Sequence, residues 1–163
     1  MRDAKKAETR QALADAAMDL FSRHGYDHVT MADIAAAAGV SRRTAFRYFP
    51  AKDDLAMEYP LQWLIVFDEA VAANSDRPLA ERLRLASHAI ADHIESHPEP
   101  VKQAFRLAFT HPALAAKYAA VSRMWIDRVT AEVAGDEVLA PAEQMRAQML
   151  GAAVMGMIDS VCG

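Results

Sequence analysis

The chain is poor in cysteine, with one residue, Cys162, among 163. A single cysteine excludes an intramolecular disulfide framework, and a reducing cytoplasm is the simplest setting for it. Long apolar runs are also missing, because the most apolar stretch, 149–158, is roughly half of what a bilayer span needs. The N-terminus has no apolar segment of the kind found in secretory signals. We therefore expect a cytoplasmic protein without a membrane helix.

Patterns that carry enzymatic chemistry are missing as well. An enzyme needs a nucleophile with its base, a carboxylate pair or a phosphate-binding glycine loop. The sequence contains neither GxGxxG nor GxxxxGK[ST], and Cys162 stands alone. We predict that the protein is not an enzyme and that it uses no cofactor.

Strand patterns are absent too, since alternation of apolar and polar residues persists nowhere for long. Apolar residues instead recur at the three-to-four spacing of amphipathic helices, and glycine, proline and asparagine clusters divide them. The sequence therefore predicts an all-α fold. The predicted helices cover 5–24, 30–38, 42–49, a segment running from 53 past Phe67, 79–96, 99–109, 113–133 and 141–162.

Charge is distributed unevenly along the chain. Residues 1–52 carry nine Lys and Arg against six Asp and Glu, whereas 53–163 carry nine against sixteen, which together make the net charge of −4. A mildly basic terminal module on an acidic body is typical of a protein whose N-terminal part faces phosphates. We predict two domains, 1–52 for DNA binding and 53–163 for ligand binding and dimerisation.

The segment 30–49 predicts a helix-turn-helix. Thr30 stands where a helix N-cap belongs, with Asp33 three residues later. The alanines at 35–38 offer small side chains where a second helix crosses the first. Gly39 provides the turn, Ser41 can cap the next helix, and proline at position 50 ends it.

The helix predicted over 42–49 has two different sides. At about 100° per residue, one side is apolar and faces the module, with Ala45, Phe46 and Phe49. The other is polar and is suited to the major groove, with Arg43, Thr44, Arg47 and Tyr48. A solvated helix face is the alternative explanation of Arg42 and Arg43.

Over residues 8–60 the sequence resembles the TetR family of bacterial transcription regulators. The family pattern joins Phe-x-x-x-Gly-Tyr/Phe to Thr-Val/Met-x-x-Ile-Ala-x-x-Ala-Gly-Val-Ser and then Phe-x-x-Lys-x-x-Leu. The matching positions are Phe21, Gly25, Tyr26, Thr30, Met31, Ile34, Ala35, Ala38, Gly39, Val40, Ser41, Phe49, Lys52 and Leu55. One departure is Phe46, where the family commonly has a tyrosine whose hydroxyl touches phosphate.

The resemblance implies an N-terminal three-helix module that binds a double-stranded DNA operator. Base edges would be read by Arg42, Arg43 and Thr44, with Arg47 on a base or a phosphate. The DNA backbone would be held by Thr30, Tyr48 and Lys52. Ser41, which caps the recognition helix, belongs to the same set.

The resemblance also implies a homodimer on a palindromic operator, with recognition helices about 34–36 Å apart. A small, partly apolar effector would relieve repression by shifting the dimer between two states. Two alternatives stay open at this point. One is a transcription activator, and the other is a helical small-molecule binding protein without operator recognition.

Large side chains of the later helices are candidates for the effector pocket, although each could equally be ordinary core. They are Trp63, Phe67, His88, Phe105, Phe109, Tyr118, Met124 and Trp125. His93 and His97 lie four residues apart on one helix face, which could suit a metal, but no third ligand is near in sequence. Polar pocket lining and surface positions are the alternatives, and we predict no metal site.

The helix predicted over 141–162 is apolar on more than one side and must be covered. Its small and apolar residues are Met145, Met149, Ala152, Ala153, Gly156 and Met157. We expect Ala152 and Gly156 to let a partner subunit approach closely. The family ends in two helices that form a four-helix dimer seam, and the sequence offers one clear candidate. Either the chain lacks a last helix or its helix count differs.

Overall fold

The structure is a computed structural model that describes residues 2–135 and 139–162. Within these ranges every regular element is helical, which confirms the predicted fold class. The helices are α1 (Arg2–His24), α2 (Met31–Ala37), α3 (Arg42–Tyr48), α4 (Lys52–Ala56), α5 (Glu58–Ala73), α6 (Leu79–Ser96), α7 (Pro98–Thr110), α8 (Pro112–Ala134) and α9 (Pro141–Cys162). A short 3-10 turn, Tyr26–His28, follows α1. None of the helices in these ranges has the length and apolar character to cross a membrane.

Helices α1 to α4 form a small module around one apolar core. Helix α1 packs against α2 and α4, and α2 packs against α3. Phe21 of α1, Ile34 of α2 and Phe49 after α3 are all buried. These residues follow the predicted three-to-four spacing, so burial of one face per helix explains why these short helices are stable together.

The turn between α2 and α3 requires a glycine. Gly39 has φ +67°, a conformation that other residues adopt only with strain. Its N–H donates to the carbonyl of Ala36 at 3.1 Å, and the Val40 N–H donates to that of Ala35 at 2.9 Å. These two bonds make a Schellman motif, which closes α2 and sets the direction of α3.

One detail of α2 differs from the prediction. Of the alanines at 35–38, Ala35 is buried and Ala38 half-buried, whereas Ala36 and Ala37 are exposed. Only two of the four therefore lie on the packed side of α2. The reason is the helical period, since four consecutive residues spread over most of a turn.

The single helix predicted from residue 53 onward is wrong, because it divides at Met57 into α4 and α5. Pro60 supplies the physical reason. In a continuous helix its ring would clash with the carbonyl of Ala56, and it has no N–H to donate there. Starting a new helix at Glu58 places Pro60 in the first turn, where no intrahelical donor is needed.

The body consists of α5 to α9, with α5 packed on α6 and α8 packed on both α7 and α9. Helices α8 and α9 approach each other closely at Gly151. A Cβ on Gly151 of α9 would stand 3.0 Å from the Cα of Ile126 on α8, whereas no described atom of the chain lies within 4 Å at Gly156. The approach of a partner helix at Ala152 and Gly156 stays a prediction. The side chains of Met157 and Cys162 lie outside the described part.

Ion pairs and aromatic contacts join the module to the body. Asp54 accepts from the ammonium of Lys117 at 2.5 Å, and His111 stands 3.7 Å from the Asp27 carboxylate. The His111 ring also packs edge-on against Tyr26, with centroids 4.9 Å apart. The corner between α7 and α8 therefore touches the module directly. A domain boundary at residues 52 and 53 stays a prediction.

Candidate DNA-binding surface and sensor core

Three arginines of α3 point into solvent. Arg42, Arg43 and Arg47 are all exposed, and none of them forms an ion pair with a described residue. Behind them Ala45 and Phe49 are 0% and 1% exposed, so α3 is anchored on the opposite side. The predicted polar side of α3 is therefore available to a large anionic partner, with its positive charge unneutralised.

Hydroxyl caps fix the ends of the two helices of the motif. The Asp33 N–H donates to the Thr30 hydroxyl at 3.3 Å, and the Thr30 N–H donates to the Asp33 carboxylate at 2.9 Å. The Thr30 hydroxyl also donates to the Asp33 carboxylate at 2.6 Å, and this bond first, with the bond from the Thr30 N–H next, lowers the pKa of Asp33. At α3 the Thr44 N–H donates to the Ser41 hydroxyl at 3.1 Å. Ser41 and Thr30 thus stiffen the motif and still lie exposed at its surface.

Phe46 does not lie on the buried side of α3, which corrects the prediction. It is 39% exposed, and the guanidinium of Arg42 lies over its ring, 5.4 Å from the centroid. The cause is geometric, because Phe46 is about 100° away from Ala45 around the helix and only the narrow arc of Ala45 and Phe49 meets the core. An apolar ring therefore stands among the arginines of the exposed face.

Tyr48 and Lys52 are more enclosed than the arginines. Tyr48 is half-buried against the module core, with the Arg47 guanidinium 5.3 Å from its ring centroid. The ammonium of Lys52 donates to the carbonyls of Tyr26 at 2.8 Å and Val29 at 3.3 Å. Lys52 thus ties α4 to the turn after α1, and its contact with a DNA phosphate stays a prediction.

A basic groove beside α3 was missed in the sequence. Lys5, Lys6 and Thr9 of α1 lie across a space of about 980 Å³ from Arg47 and Tyr48. The available signal was the spacing of Lys5 and Thr9, four residues apart on one helix face. Nothing in the sequence indicated that this face lies opposite α3.

The predicted pocket residues divide into two aromatic groups in the body. Trp63 stacks on Phe105 at a centroid distance of 5.7 Å, and Phe105 meets Tyr118 edge-on at 5.3 Å. Phe67 and Trp125 form a separate edge-on pair at 5.0 Å. The indole N–H groups of Trp63 and Trp125 are buried and have no hydrogen-bond partner among the described residues.

Three members of the predicted set lie at the surface, and Met124 of α8, 48% exposed, is one of them. Phe109 is 68% exposed, with its ring 6.4 Å from Phe105 and 6.5 Å from Tyr118, so it stands at the rim of the first group. His88 is exposed on α6. The ligand-binding role of each of these residues stays a prediction.

His93 and His97 lie together, with ring centroids 4.8 Å apart. The Nδ1 atom of His97 is 3.0 Å from the carbonyl of His93. The His97 ring also packs against the ring of Tyr59, with centroids 5.6 Å apart. Nε2 of His93 is buried without a hydrogen-bond partner. No group of three or more metal-ligating side chains lies together within the described ranges.

Comparison with known proteins gives matches along nearly the whole chain. A family model described as "Bacterial regulatory proteins, tetR family" matches residues 13–59, and one described as "MftR C-terminal domain" matches residues 77–162, more than half of the chain. The chain belongs to the TetR family.

Individual relatives are similar over shorter lengths. The chain is 39% identical over 82 residues to the HTH-type transcriptional regulator TcmR of Streptomyces glaucescens, covering 50% of this chain and 34% of TcmR. It is 30% identical over 112 residues to the HTH-type transcriptional regulator AlkX of Mycobacterium tuberculosis, covering 68% and 46%. The matches therefore span less than half the length of these TetR-family relatives.

The fold is that of solved TetR-family structures. The TetR-family repressor FadR of Thermus thermophilus, crystallised with lauroyl-CoA, superposes with a TM-score of 0.57. Its sequence is 24% identical, and the alignment covers 88% of this chain and 77% of FadR. At this identity the likeness shows the shared helical architecture.

Helices α8 and α9 expose an apolar surface in this TetR-family fold. Met124 of α8 and Met145 and Met149 of α9 are each about half or more exposed, at 48%, 61% and 65%. The dimer seam expected at the end of the chain stays a prediction.

Acid should destabilise this TetR-family protein partly through His93. Burial, and next the neighbouring His97, lower the pKa of His93 below its ordinary value near 6.5. As pH falls through about 6.5 the unfolded chain takes up the proton first, so stability is lost from there down to the folded pKa. We expect urea midpoints of His93→Gln to fall less between pH 7 and pH 5.5 than those of the parent. His88→Gln, at an exposed site, should keep the parent's dependence, and equal dependence in all three would contradict the assignment.

Proposed function

We propose that this chain is a dimeric, ligand-responsive transcription regulator that binds a palindromic duplex operator through α3. The observation that carries the proposal is the exposed, unpaired trio Arg42, Arg43 and Arg47 on a helix anchored from behind. In a protein of net charge −4, a local excess of arginine on a rigid element is best explained by an anionic partner. The TetR-family relatives named as HTH-type transcriptional regulators support this proposal.

The arginines would divide the work of recognition. Arg42 and Arg43, at the start of α3, have the reach for base edges in the major groove, where arginine pairs twice with guanine. Arg47, one turn later, would contact a base or a phosphate. Thr44 and the exposed ring of Phe46 complete the reading face, and an apolar ring there suits a thymine methyl group.

Dimerisation would use the apolar surface of α8 and α9. Met145 and Met149 of α9 and Met124 of α8 are exposed apolar side chains that a partner subunit would cover. A two-fold axis through this surface would pair the helices of two chains, because such an interface repeats the same patch on both subunits. It would also place two copies of α3 for successive major grooves.

The effector would be a small, partly apolar molecule held near the Trp63, Phe105 and Tyr118 group. Aromatic walls supply the apolar contact, and the unpartnered indole N–H of Trp63 offers a donor to an effector carbonyl or hydroxyl. The lauroyl-CoA complex of the structurally similar FadR is consistent with an effector of this kind.

Helix α7 provides a route from the effector to the DNA. Phe105 lies in its middle, and His111, directly after its end, touches Asp27 and Tyr26 of the module. An effector that displaces α7 would therefore tilt the module, and a small rotation of each module prevents both copies of α3 from reaching their half-sites together. We propose repression relieved by the effector, acting in the cytoplasm, with residues 1–52 binding DNA and 53–163 binding the effector and the partner.

Selection of bound fragments from random duplex DNA tests this function. We expect a palindromic site, and we expect affinity for it to fall steeply with salt because phosphate contacts release counterions. An effector that weakens binding would support relief of repression, and one that strengthens it would reverse the sign of regulation. A preparation that is folded and dimeric yet selects no sequence would refute operator recognition.

Arg43→Ala should weaken binding by about 1–3 kcal/mol, or roughly 5- to 150-fold, for each half-site that the dimer contacts, if Arg43 pairs twice with a guanine. The preference for one base pair in each half-site should relax at the same time. Fluorescence anisotropy with the selected duplex and with single-base variants measures both effects. Arg84→Ala is the matched control, since it removes an exposed arginine from α6 in the body. Unchanged affinity and unchanged base preference in Arg43→Ala would remove this residue from the reading face.

A further inference from the structure

A second positive surface lies beside the recognition helix, across the groove between α1 and α3. Its α1 wall consists of Lys5, Lys6 and Thr9, and its α3 wall includes Arg47 and Tyr48. The space between the walls, about 980 Å³, is open to solvent. It is continuous with the exposed face of α3, because Arg47 belongs to both.

The groove has three cations and no described carboxylate in its lining. Lys5 and Lys6 are exposed and form no ion pair with any residue in the part of the chain whose side chains are described. Thr9 is fixed by a hydrogen bond from its hydroxyl to the Lys5 carbonyl at 2.9 Å. The side chains of this wall therefore present donors and positive charge toward α3.

The position of the two lysines carries an energetic cost in the isolated protein. They lie near the N-terminus of α1, where the helix dipole disfavours positive charge. An anion in the groove would reverse that cost, because the dipole and the ammonium groups would then act on it with the same sign. The arrangement is thus better suited to the bound state than to the free protein.

We propose that the start of α1 is a phosphate-binding edge of the DNA-binding surface. Its lysines would bind phosphates of the DNA backbone along one side of the major groove that α3 enters. The inference rests on the proposed operator binding, and it adds Lys5 and Lys6 to the residues that hold the DNA. An acidic protein segment could present similar charge, but continuity with α3 favours the strand that α3 already contacts. These contacts position the duplex and carry no base preference.

The test uses the full chain with both lysines changed, Lys5→Gln and Lys6→Gln. Affinity for the selected duplex is measured between 0.05 and 0.2 M KCl, for parent and variant. Each neutralised phosphate contributes about 0.9 to the slope of log affinity against log salt, so the loss of two lysines from each of the two subunits should shrink the slope by about 3.6 in magnitude. Base preference, measured with single-base variants of the duplex, should be unchanged.

The matched control removes two positive charges from the body, Arg84→Gln and Lys102→Gln, both exposed. Its slope should stay close to that of the parent, which separates local contacts from net charge. A parent that binds no duplex would refute the proposed function itself. A parent with a steep slope that the α1 double variant reproduces would overturn this inference and leave the function standing. Altered base preference in the double variant would also overturn it, since α1 would then be reading bases.

Discussion

Arg10→Ala should lower the free energy of unfolding by about 3 kcal/mol, although Arg10 itself is partly exposed. Its guanidinium donates two hydrogen bonds, each 2.5 Å long, to the two carboxylate oxygens of Glu58. Glu58 is only 2% exposed at the start of α5. Removing Arg10 would leave this carboxylate buried with one long contact, from the Gln62 amide at 3.4 Å. The cost arises from that uncompensated buried charge.

Urea unfolding at equal protein concentration measures the effect, because a dimer's stability depends on concentration. Arg23→Ala is the matched control, since the Arg23–Asp19 pair is exposed and such pairs contribute only about 0–1 kcal/mol. Glu58→Gln should lower the free energy of unfolding less than Arg10→Ala does, because it leaves no buried carboxylate that needs the charge of Arg10. Equal stability of Arg10→Ala and Arg23→Ala would show that Glu58 does not depend on Arg10.

Arg10 also has a consequence for the DNA-binding surface. Its guanidinium lies over the ring of Phe49, 4.5 Å from the centroid, and Phe49 closes the end of α3. The same side chain therefore connects α1, the end of the recognition helix and the first turn of α5. We expect Arg10→Ala to weaken operator binding beyond the loss of folded protein, because the orientation of α3 relative to the body would be less well defined.

Trp63→Ala should cost about 3–5 kcal/mol of stability, the usual range for deleting a large buried aromatic side chain. Trp63 is 1% exposed and stacks on Phe105 in the centre of the body. Neighbouring helices α5 and α7 can collapse into the space only in part, since the interior is close-packed. Denaturant unfolding, followed by circular dichroism, measures this loss.

Trp63→Phe separates the contribution of ring packing from that of the indole N–H. It keeps a stacked ring and removes the indole N–H that has no described partner, so we expect a smaller cost than that of Trp63→Ala, because a smaller cavity is left. If an effector accepts a hydrogen bond from that N–H, Trp63→Phe should weaken its binding more than the change in stability explains. The corresponding change at Trp125 is the control, because that indole lies in the other aromatic pair. Equal effects on effector binding would remove Trp63 from the proposed pocket.

The sequence alone was sufficient for features that depend on near neighbours. Thr30 with Asp33, Ser41 with Thr44, and the positive φ of Gly39 are decided within a few residues, because caps and turns use local backbone groups. The helix break at Met57 also has a local cause, Pro60, but the prediction missed it because the apolar period continues across residues 55–67.

Residues distant in sequence could not be paired from periodicity. Arg10 and Glu58 are 48 positions apart, and Lys117 reaches Asp54 across 63 positions. Helical spacing tells which face a residue shares within its own helix, but it carries no information about which helix lies opposite. The groove formed by Lys5 and Arg47 was hidden for this reason.

The amino-acid sequence by itself determined the helical class, the motif around Gly39 and the arginines of the proposed DNA-binding face. Tertiary structure decided that Phe46 stands among those arginines, that Lys52 binds carbonyls of its own module, and that α9 packs closely on α8 at Gly151. The physical reason is the distance along the chain over which each interaction acts. Local hydrogen bonds and the helical period connect residues within one or two turns. Burial and electrostatic pairing depend instead on how separate helices pack.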